Sequence, residues 1–323
     1  MSTLLPQSLI WDIMHVTERA AIEAAKLRGR GDEKAADQAA VDAMRTALNE
    51  VDIEGRIVIG EGERDDAPML FIGEEIGSKS GPQVDIAVDP LEGTTLCAKS
   101  QPNALAVLAL AERDCLLHAP DIYMDKIAIG PGYEEGLVDL DKTPSENLSA
   151  LAAAKGGKVS DLTVMILDRP RHGKLIEEVR GAGAAIKLIN DGDIAGVIQT
   201  TDPEETGIDI YMGSGGAPEG VLAAAALSSI GGQIQGRLLP LHESHVERAK
   251  KLGIDDLSKK YTIADMVKGD VIFSATGVTK GTMLDGVHVN DDLIETETLI
   301  MHAGSKTVRW VRSQCEKAGS PSA

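Results

Sequence analysis

The residues of this chain best suited to chemistry are carboxylates standing where strands should end. Asp89 and Glu92 lie three residues apart in Val88-Asp89-Pro90-Leu91-Glu92-Gly93-Thr94-Thr95, just after an apolar run, residues 84–88, broken only by Asp85. Proline cannot extend a strand ladder, so the strand is expected to stop at Asp89 and hand its acid to a loop. Gly93, Thr94 and Thr95 then offer amides and hydroxyls able to hold an oxyanion. Taken alone, a strand, a turn and a helix cap explain the same letters.

Other acids change that balance. Gly60-Glu61-Gly62-Glu63-Arg64-Asp65-Asp66 carries four acids in six residues. Flanking glycines let the backbone bend and present Glu61 at a strand end. Four acids so close repel one another unless a cation lies among them, although a solvated acidic loop is the plain alternative. Val41, Met44 and Leu48 form a stripe at helical spacing, and a step of four backwards lands on Asp37. That position is either a frayed, exposed first turn or a carboxylate aimed inward at a metal. Asp37, Glu61, Asp89 and Glu92 are hard oxygen donors of the kind magnesium and manganese prefer, usually with substrate phosphate completing the shell. Glu219, in Gly216-Ala217-Pro218-Glu219-Gly220, is a further acid where a glycine loop enters a helix, a place where complementing the helix dipole is the commoner role. No Cys/His grouping suggests zinc, and His242 with His245 reads as helix surface.

The whole chain must tolerate such a site. Its 323 residues carry a formal net charge of −19, which disfavours nucleic acid or an anionic membrane as partner. The same charge repels a phosphorylated metabolite, so cations or a local basic cluster must reverse the sign. Arg169, Arg171, His172 and Lys174 form the densest basic patch beside an expected strand end, and arginine can grip a phosphate with two donors. Hydrophobic residues make up 43% but aromatic ones only 2%, so the core is built from small aliphatic side chains, as in α/β architectures. No apolar run approaches the ~20 residues of a membrane span. No secretory signal is visible, and Cys97, Cys115 and Cys315 read as free thiols in a reducing cytoplasm.

The elements that position these residues follow in order. Ser8 opens a helix to about Gly29, with Leu9, Ile13, Val16, Ala20 and Ala24 on one stripe, and Asp32 caps a second to about Asn49. Residues 56–59 form a strand before Glu61. Residues 104–111 and 115–119 read as a hairpin, followed by Tyr123. Thr143-Pro144-Ser145 starts a helix and marks the expected division into 1–144 and 145–323. Beyond it, apolar runs at 162–167, 184–189, 208–212 and 271–273 alternate with helices such as 173–181 and 218–230, which predicts a largely parallel sheet with ligands beyond its carboxyl ends. The Gly213-Ser214-Gly215-Gly216 loop fails as a dinucleotide motif, because the third glycine would fall on Pro218 and no acid stands about 20 residues on. P-loop and nucleophile-elbow motifs are absent from the sequence.

Gly60-Glu61-Gly62-Glu63, Asp89-Pro90-Leu91-Glu92-Gly93-Thr94, Pro170-Arg171-His172, Asp191-Gly192-Asp193 and Gly216-Ala217-Pro218-Glu219-Gly220 occur in the order found in class II fructose-1,6-bisphosphatases. The chain resembles that family from about Thr17 to about Arg312, including its members that also take sedoheptulose 1,7-bisphosphate. The Asp-Pro-x-Asp/Glu-Gly-Thr element is shared with inositol-monophosphatase-like enzymes and by itself indicates only the superfamily. The resemblance implies an α/β, layered α-β-α-β-α sugar-phosphatase fold and a metal-dependent phosphomonoesterase. It implies two or more Mg²⁺ or Mn²⁺ ions on Asp37, Glu61, Asp89, Glu92 and Glu219. Thr94, with Asp65 and Glu61, would serve the attacking water. Substrate would be held by Glu92, Gly93, Thr94, Tyr123, Pro170, Arg171, His172, Asp191, Gly192, Asp193 and Gly216. A cytoplasmic homo-oligomer, dimer or tetramer, is the expected state. Relatives often carry a lysine directly after the Gly-Asp before the Asp37 helix; here Glu33 stands there and Lys34 follows, and residues 239–248 are shorter than in many relatives. The competing readings are an inositol- or nucleotide-phosphate phosphatase of the same superfamily, and a metal-dependent sugar-phosphate sensor without turnover.

Overall fold

A computed structural model describes residues 5–62, 69–290 and 292–317. The chain divides into two compact units, residues 1–114 with 269–323, and residues 115–268. The division expected at 144/145 therefore lies inside the second unit. The cause is a return of the chain that no local pattern shows: the last segment pairs back into the first unit's sheet.

In the first unit, α1 (Leu9–Ala25) and α2 (Glu33–Leu48) precede β1 (Glu54–Ile59), β2 (Glu75–Ile76), β3 (Gln83–Glu92), the five-residue α3 (Thr94–Ala98) and β4 (Leu105–Glu112). The expected stripe of α1 is buried throughout, and Asp32 caps α2 by accepting from the Ala35 N–H at 3.0 Å. Each fully buried Leu or Ile on these faces is worth about 1.5–3 kcal/mol. β4 is apolar on both faces, and it is central, antiparallel to β3 on one side and to a late strand on the other. That leaves it no free edge for the expected hairpin with 115–119, where Leu116 forms only an isolated bridge to Val267.

The strand over 84–88 does not stop at Asp89. β3 runs on through Pro90 to Glu92, because the ladder is already broken where proline sits. Pairing with β1 ends at Ile59↔Ala87, and pairing with β4 is irregular between Asp89 and Glu92. This bulge has a chemical consequence. In a regular strand, residues three apart point to opposite faces. Here Asp89 is opposite Val107 and Glu92 opposite Leu105, two residues apart on β4, so both acids share one face. Val84, Ile86 and Val88 carry the other face into the core with α1 and α2.

The second unit holds β5 (Tyr123–Ile129), α4 (Pro144–Ala154), β6 (Thr163–Leu167), α5 (Gly173–Ala182), β7 (Ala185–Ile189), α6 (Asp193–Ile198), α7 (Pro203–Thr206), β8 (Ile210–Gly216), α8 (Ala217–Ile230), β9 (Gln233–Leu239), α9 (Glu243–Lys251) and α10 (Ile263–Met266). Its strands are ordered β7-β6-β8-β5-β9. The helix at Thr143-Pro144-Ser145 forms with a full capping box between Thr143 and Glu146. α8 is buried on nearly all sides, as its unbroken Ala/Leu/Val run requires. Gly213–Gly216, expected as a loop, is the end of β8.

The chain then returns to the first unit as β10 (Val271–Gly277), β11 (His288–Val289), β12 (Leu293–His302) and β13 (Thr307–Glu316). The β12–β13 hairpin had no counterpart in the sequence reading. The sheets are not largely parallel: among the described residues only β1/β3, β6/β7 and β6/β8 pair parallel. The alternation of helix and strand was real, but most strands return beside antiparallel neighbours. The architecture is mixed α/β, and among the described residues no helix is long and apolar enough to cross a membrane.

Candidate functional site

The first unit gathers acids at the carboxyl ends of β1 and β3. Glu61 follows β1 by two residues, its N–H donating to the Leu70 carbonyl at 3.1 Å. Gly60 is required for that approach, since a Cβ there would lie 2.0 Å from the Leu70 oxygen. Asp37 sits half-buried in α2. Burial holds its carboxyl above the ordinary range. Glu61 is exposed along one edge, yet protein crowds its carboxylate. That burial first, and the Asp37 charge second, push it up to about 7. Two carboxylates, the charge of one opposing ionisation of the other and neither paired with a base among the described residues, are a donor set that suits a divalent cation.

Asp89 is half-buried in β3, and Glu92, its last residue, is buried. Gly93 caps α3 and Thr94 is its first residue, half-buried. α3 packs against α2, and the Cys97 and Ala98 carbonyls accept from the Gly29 and Gly31 N–H groups at 2.9 Å. The sequence thus brings Thr94's helix beside the helix of Asp37. Lys34 is exposed in the first turn of α2. Asp65 lies outside the described residues. Among the described residues, no group of three or more His, Cys, Asp or Glu side chains is close enough to hold a metal as it stands.

The second unit builds a different arrangement. Glu219 stands in the first turn of α8 with Oε2 enclosed and without a hydrogen-bond partner. Burial, then the Asp193 charge, push it up to about 7, with Lys126 pulling the other way. A Cβ on Gly216 would lie 1.9 Å from that Oε2, so any larger residue there would require the Glu219 carboxylate to move. Lys126, only 1% exposed, donates its ammonium to Asp193 and to the Gly216 carbonyl, the latter at 2.9 Å. A buried ammonium held by a carboxylate and a carbonyl neutralises Asp193 without solvent. Sequence reasoning missed Lys126. Its signal was a charged Asp125-Lys126 doublet inside the otherwise strand-like run 123–129.

Arg171 and Tyr123 come together: the guanidinium lies 4.7 Å from the tyrosine ring centroid. Arg171 also donates to Ser214, through Nε to Oγ at 3.0 Å and Nη2 to the carbonyl at 2.6 Å. Ser214 is in turn held by His172. Its N–H donates to His172 Nε2 at 2.8 Å, so that nitrogen carries no proton, and Nδ1–H donates to the Leu167 carbonyl at 2.7 Å. Burial keeps this imidazole below its ordinary pKa and hence neutral. Both ring nitrogens of His172 are used inside the protein, so it buttresses Arg171 through Ser214. Pro170 opens the short turn that presents Arg171. Asp191 lies 3.9 Å from Arg169, Gly192 caps α6, and Asp193 begins it. Lys174 does not join them: it is exposed on α5 and pairs with Glu178, one helical turn on. The basic patch of the sequence thus narrows to Arg169 and Arg171.

Known proteins resemble this chain along nearly its full length. The family model described as bacterial fructose-1,6-bisphosphatase, glpX-encoded, matches residues 7–315. A fructose-1,6-bisphosphatase 1 class 2 of Escherichia coli (strain K12) is 46% identical over 321 residues, covering 95% of each chain. A D-fructose 1,6-bisphosphatase class 2/sedoheptulose 1,7-bisphosphatase of Prochlorococcus marinus (strain NATL1A) is 43% identical over 332 residues, 98% of this chain and 99% of the relative. A protein of the same name from Synechococcus sp. (strain JA-3-3Ab) is 46% identical over 325 residues, 93% of each.

Proposed function

This chain belongs to the bacterial, glpX-encoded fructose-1,6-bisphosphatase family, and we propose that it hydrolyses the 1-phosphate of fructose 1,6-bisphosphate to fructose 6-phosphate and phosphate. Sedoheptulose 1,7-bisphosphate, named for two of the relatives, is a second substrate in this reading. The fold type that goes with it is that of the sugar phosphatases and inositol-monophosphatase-like enzymes. The observation that carries the reading is the Asp37–Glu61 pair, a helix carboxylate whose charge bears on one just past the end of β1, in a chain already strongly negative.

Asp37, Glu61, Asp89, Glu92 and Glu219 would hold Mg²⁺ or Mn²⁺. When bound, such ions supply charge neutralisation and Lewis acidity toward a phosphoryl group. The chain's own residues do the rest. The Thr94 hydroxyl orients the attacking water, with Asp65 and Glu61 as the acids that take its proton. Arg171, two of its nitrogens fixed on Ser214, turns its remaining Nη1 edge to the phosphate remote from the reacting bond. Tyr123 keeps that guanidinium in place, and the carboxylates of Asp191 and Asp193 accept from sugar hydroxyls near Gly216. Phosphoryl transfer depends on such positioning and charge more than on a covalent nucleophile.

Phosphate release from fructose 1,6-bisphosphate, sedoheptulose 1,7-bisphosphate and inositol phosphates, with Mg²⁺, Mn²⁺ or EDTA, tests this. Hydrolysis of the bisphosphates that EDTA abolishes is expected. Turnover of inositol phosphates alone would favour the sister activity, and binding without turnover would favour a sensor.

A further inference from the structure

Asp270, His302 and Ser305 form a connected set of side chains that the phosphatase reading does not use. Asp270, just before β10, and His302, the last residue of β12, are both 2% exposed, whereas Ser305 stands half-buried in the turn between β12 and β13. The Asp270 carboxylate accepts from the Leu5 N–H at 2.8 Å, the Gly304 N–H at 2.7 Å and His302 Nε2 at 2.9 Å. An ionised carboxylate can only accept, so the imidazole proton stands on Nε2 and the neutral ring keeps a lone pair at Nδ1. Nδ1 lies 2.8 Å from Ser305 Oγ and accepts from that hydroxyl. Thr307 then donates to Ser305 Oγ at 2.8 Å, and Arg309 Nη1 donates to Thr307 Oγ1 at 2.7 Å. Every donor points the same way, from Arg309 to Asp270. Asp270 alone already fastens the turn through Gly304 and the segment before α1 through Leu5. Ser305 adds to that anchor an oxygen within reach of solvent.

We propose that Ser305 is a site of covalent acylation, taking a small acyl group from an acyl phosphate. A hydroxyl on a base, with the base oriented by a buried acid, is the arrangement that activates a serine, whatever the order of the three in sequence. Ser305 Oγ bonds the acyl carbon while its proton passes to His302 Nδ1. The bond from that carbon to the phosphate oxygen breaks, and the departing phosphate takes the proton. Lys306 and Arg309 are exposed beside the serine and positive in a chain of net charge −19, so an anionic donor is drawn to this turn. Arg309, one hydroxyl removed from Ser305 Oγ, also offers charge to the carbonyl oxygen that turns negative during attack.

Incubation of the full chain with acetyl phosphate, followed by peptide mass spectrometry, tests this. One acetyl group on Ser305 is expected, released by hydroxylamine as an ester is. Its rate of formation should fall about 100-fold in His302→Gln, the low end for loss of a positioned general base. Thermal midpoints establish that the variant is folded. Should His302→Gln not fold, Ser305→Cys gives the answer instead. A thiol on the same base is in large part thiolate at neutral pH, so iodoacetamide should alkylate it about ten-fold faster than the exposed Cys315 of the same chain. A folded wild type without acetyl on Ser305, or with only the hydroxylamine-stable amide on Lys306, overturns the proposal. So does a folded His302→Gln labelled at the wild-type rate, or a Ser305→Cys thiol no faster than Cys315.

Discussion

Two sites of this molecule handle negative charge in opposite ways: Asp193 with Lys126, and Asp37 with Glu61. In the second unit Asp193 is answered from within: the Lys126 ammonium donates both to its carboxylate and to the Gly216 carbonyl. In the first unit, Asp85 on β3 is treated the same way, fully buried and gripped by Arg56 through two hydrogen bonds of 3.0 Å. Among the described residues no base is paired with Asp37 or Glu61; burial raises both carboxyls, and the Asp37 charge helps to push Glu61 up to about 7. A neutralised acid is held by the protein itself, whereas a repelling pair is one that a divalent cation would suit.

The largest test of this contrast is removal of an acid from the first unit. Asp89→Ala should lower kcat/KM for fructose 1,6-bisphosphate by on the order of 10³-fold, the upper end for a group acting on transition-state charge. Near-normal phosphate release would mean that the centre lies elsewhere. Lys126→Met probes the compensated side. It leaves Asp193 buried and uncompensated, which should cost about 3–5 kcal/mol in urea unfolding. Adding Asp193→Asn should recover much of that loss, and a double variant no more stable than the single one would show that the pair does not act as a unit.

Arg171→Ala comes next in size. Losing charge-assisted bonds worth about 1.5–3 kcal/mol should raise KM for the bisphosphate about 10- to 100-fold. A matching rise for a sugar monophosphate would deny Arg171 its place on the remote phosphate, whereas Lys174→Ala should change neither value. The smallest effect is on pH. Glu61 and Glu219 sit near 7 in the folded chain against an ordinary 4.5. Between those values the folded state holds more protons than the unfolded one. Their contribution to stability is therefore full below about 4.5 and is lost as pH rises through about 7. His172, held below its ordinary 6.5, acts in the opposite sense beneath that pH. In EDTA the melting midpoint should fall from pH 5 to pH 8, and the fall should shrink in Glu61→Gln. An identical slope in both proteins would remove Glu61 from this account.

Much of the site was legible as letters because its residues are local. The Glu61 loop, the Asp89-to-Thr94 stretch and the start of α8 each carry their glycine, proline and acid within a few positions, and local backbone rules act over that distance. What failed to show were relations between distant segments. The 115–119 hairpin was excluded by β10 taking the open edge of β4, and the division at 144/145 was displaced by the return of residues 269–317. His172 looked like part of a basic patch until Ser214 and Leu167 claimed its ring.

Although the cap expected of Ser8 on α1 does not form, the sequence by itself determined which residues could do chemistry, the stripes of α1 and α2, the caps of α2 and α4, and the membership of a family. Those follow from propensity and short-range spacing, which a linear string contains. Only the tertiary structure decided how those residues face. A spacing of three put Asp89 and Glu92 on opposite sides of an ideal strand, and the bulge against Val107 and Leu105 returned both to one side. Lys126 became the counter-charge of Asp193 only because β5 and α6, 67 residues apart in sequence at that contact, were folded together. Strand register and long-range charge pairing are set by partners that the local string does not name.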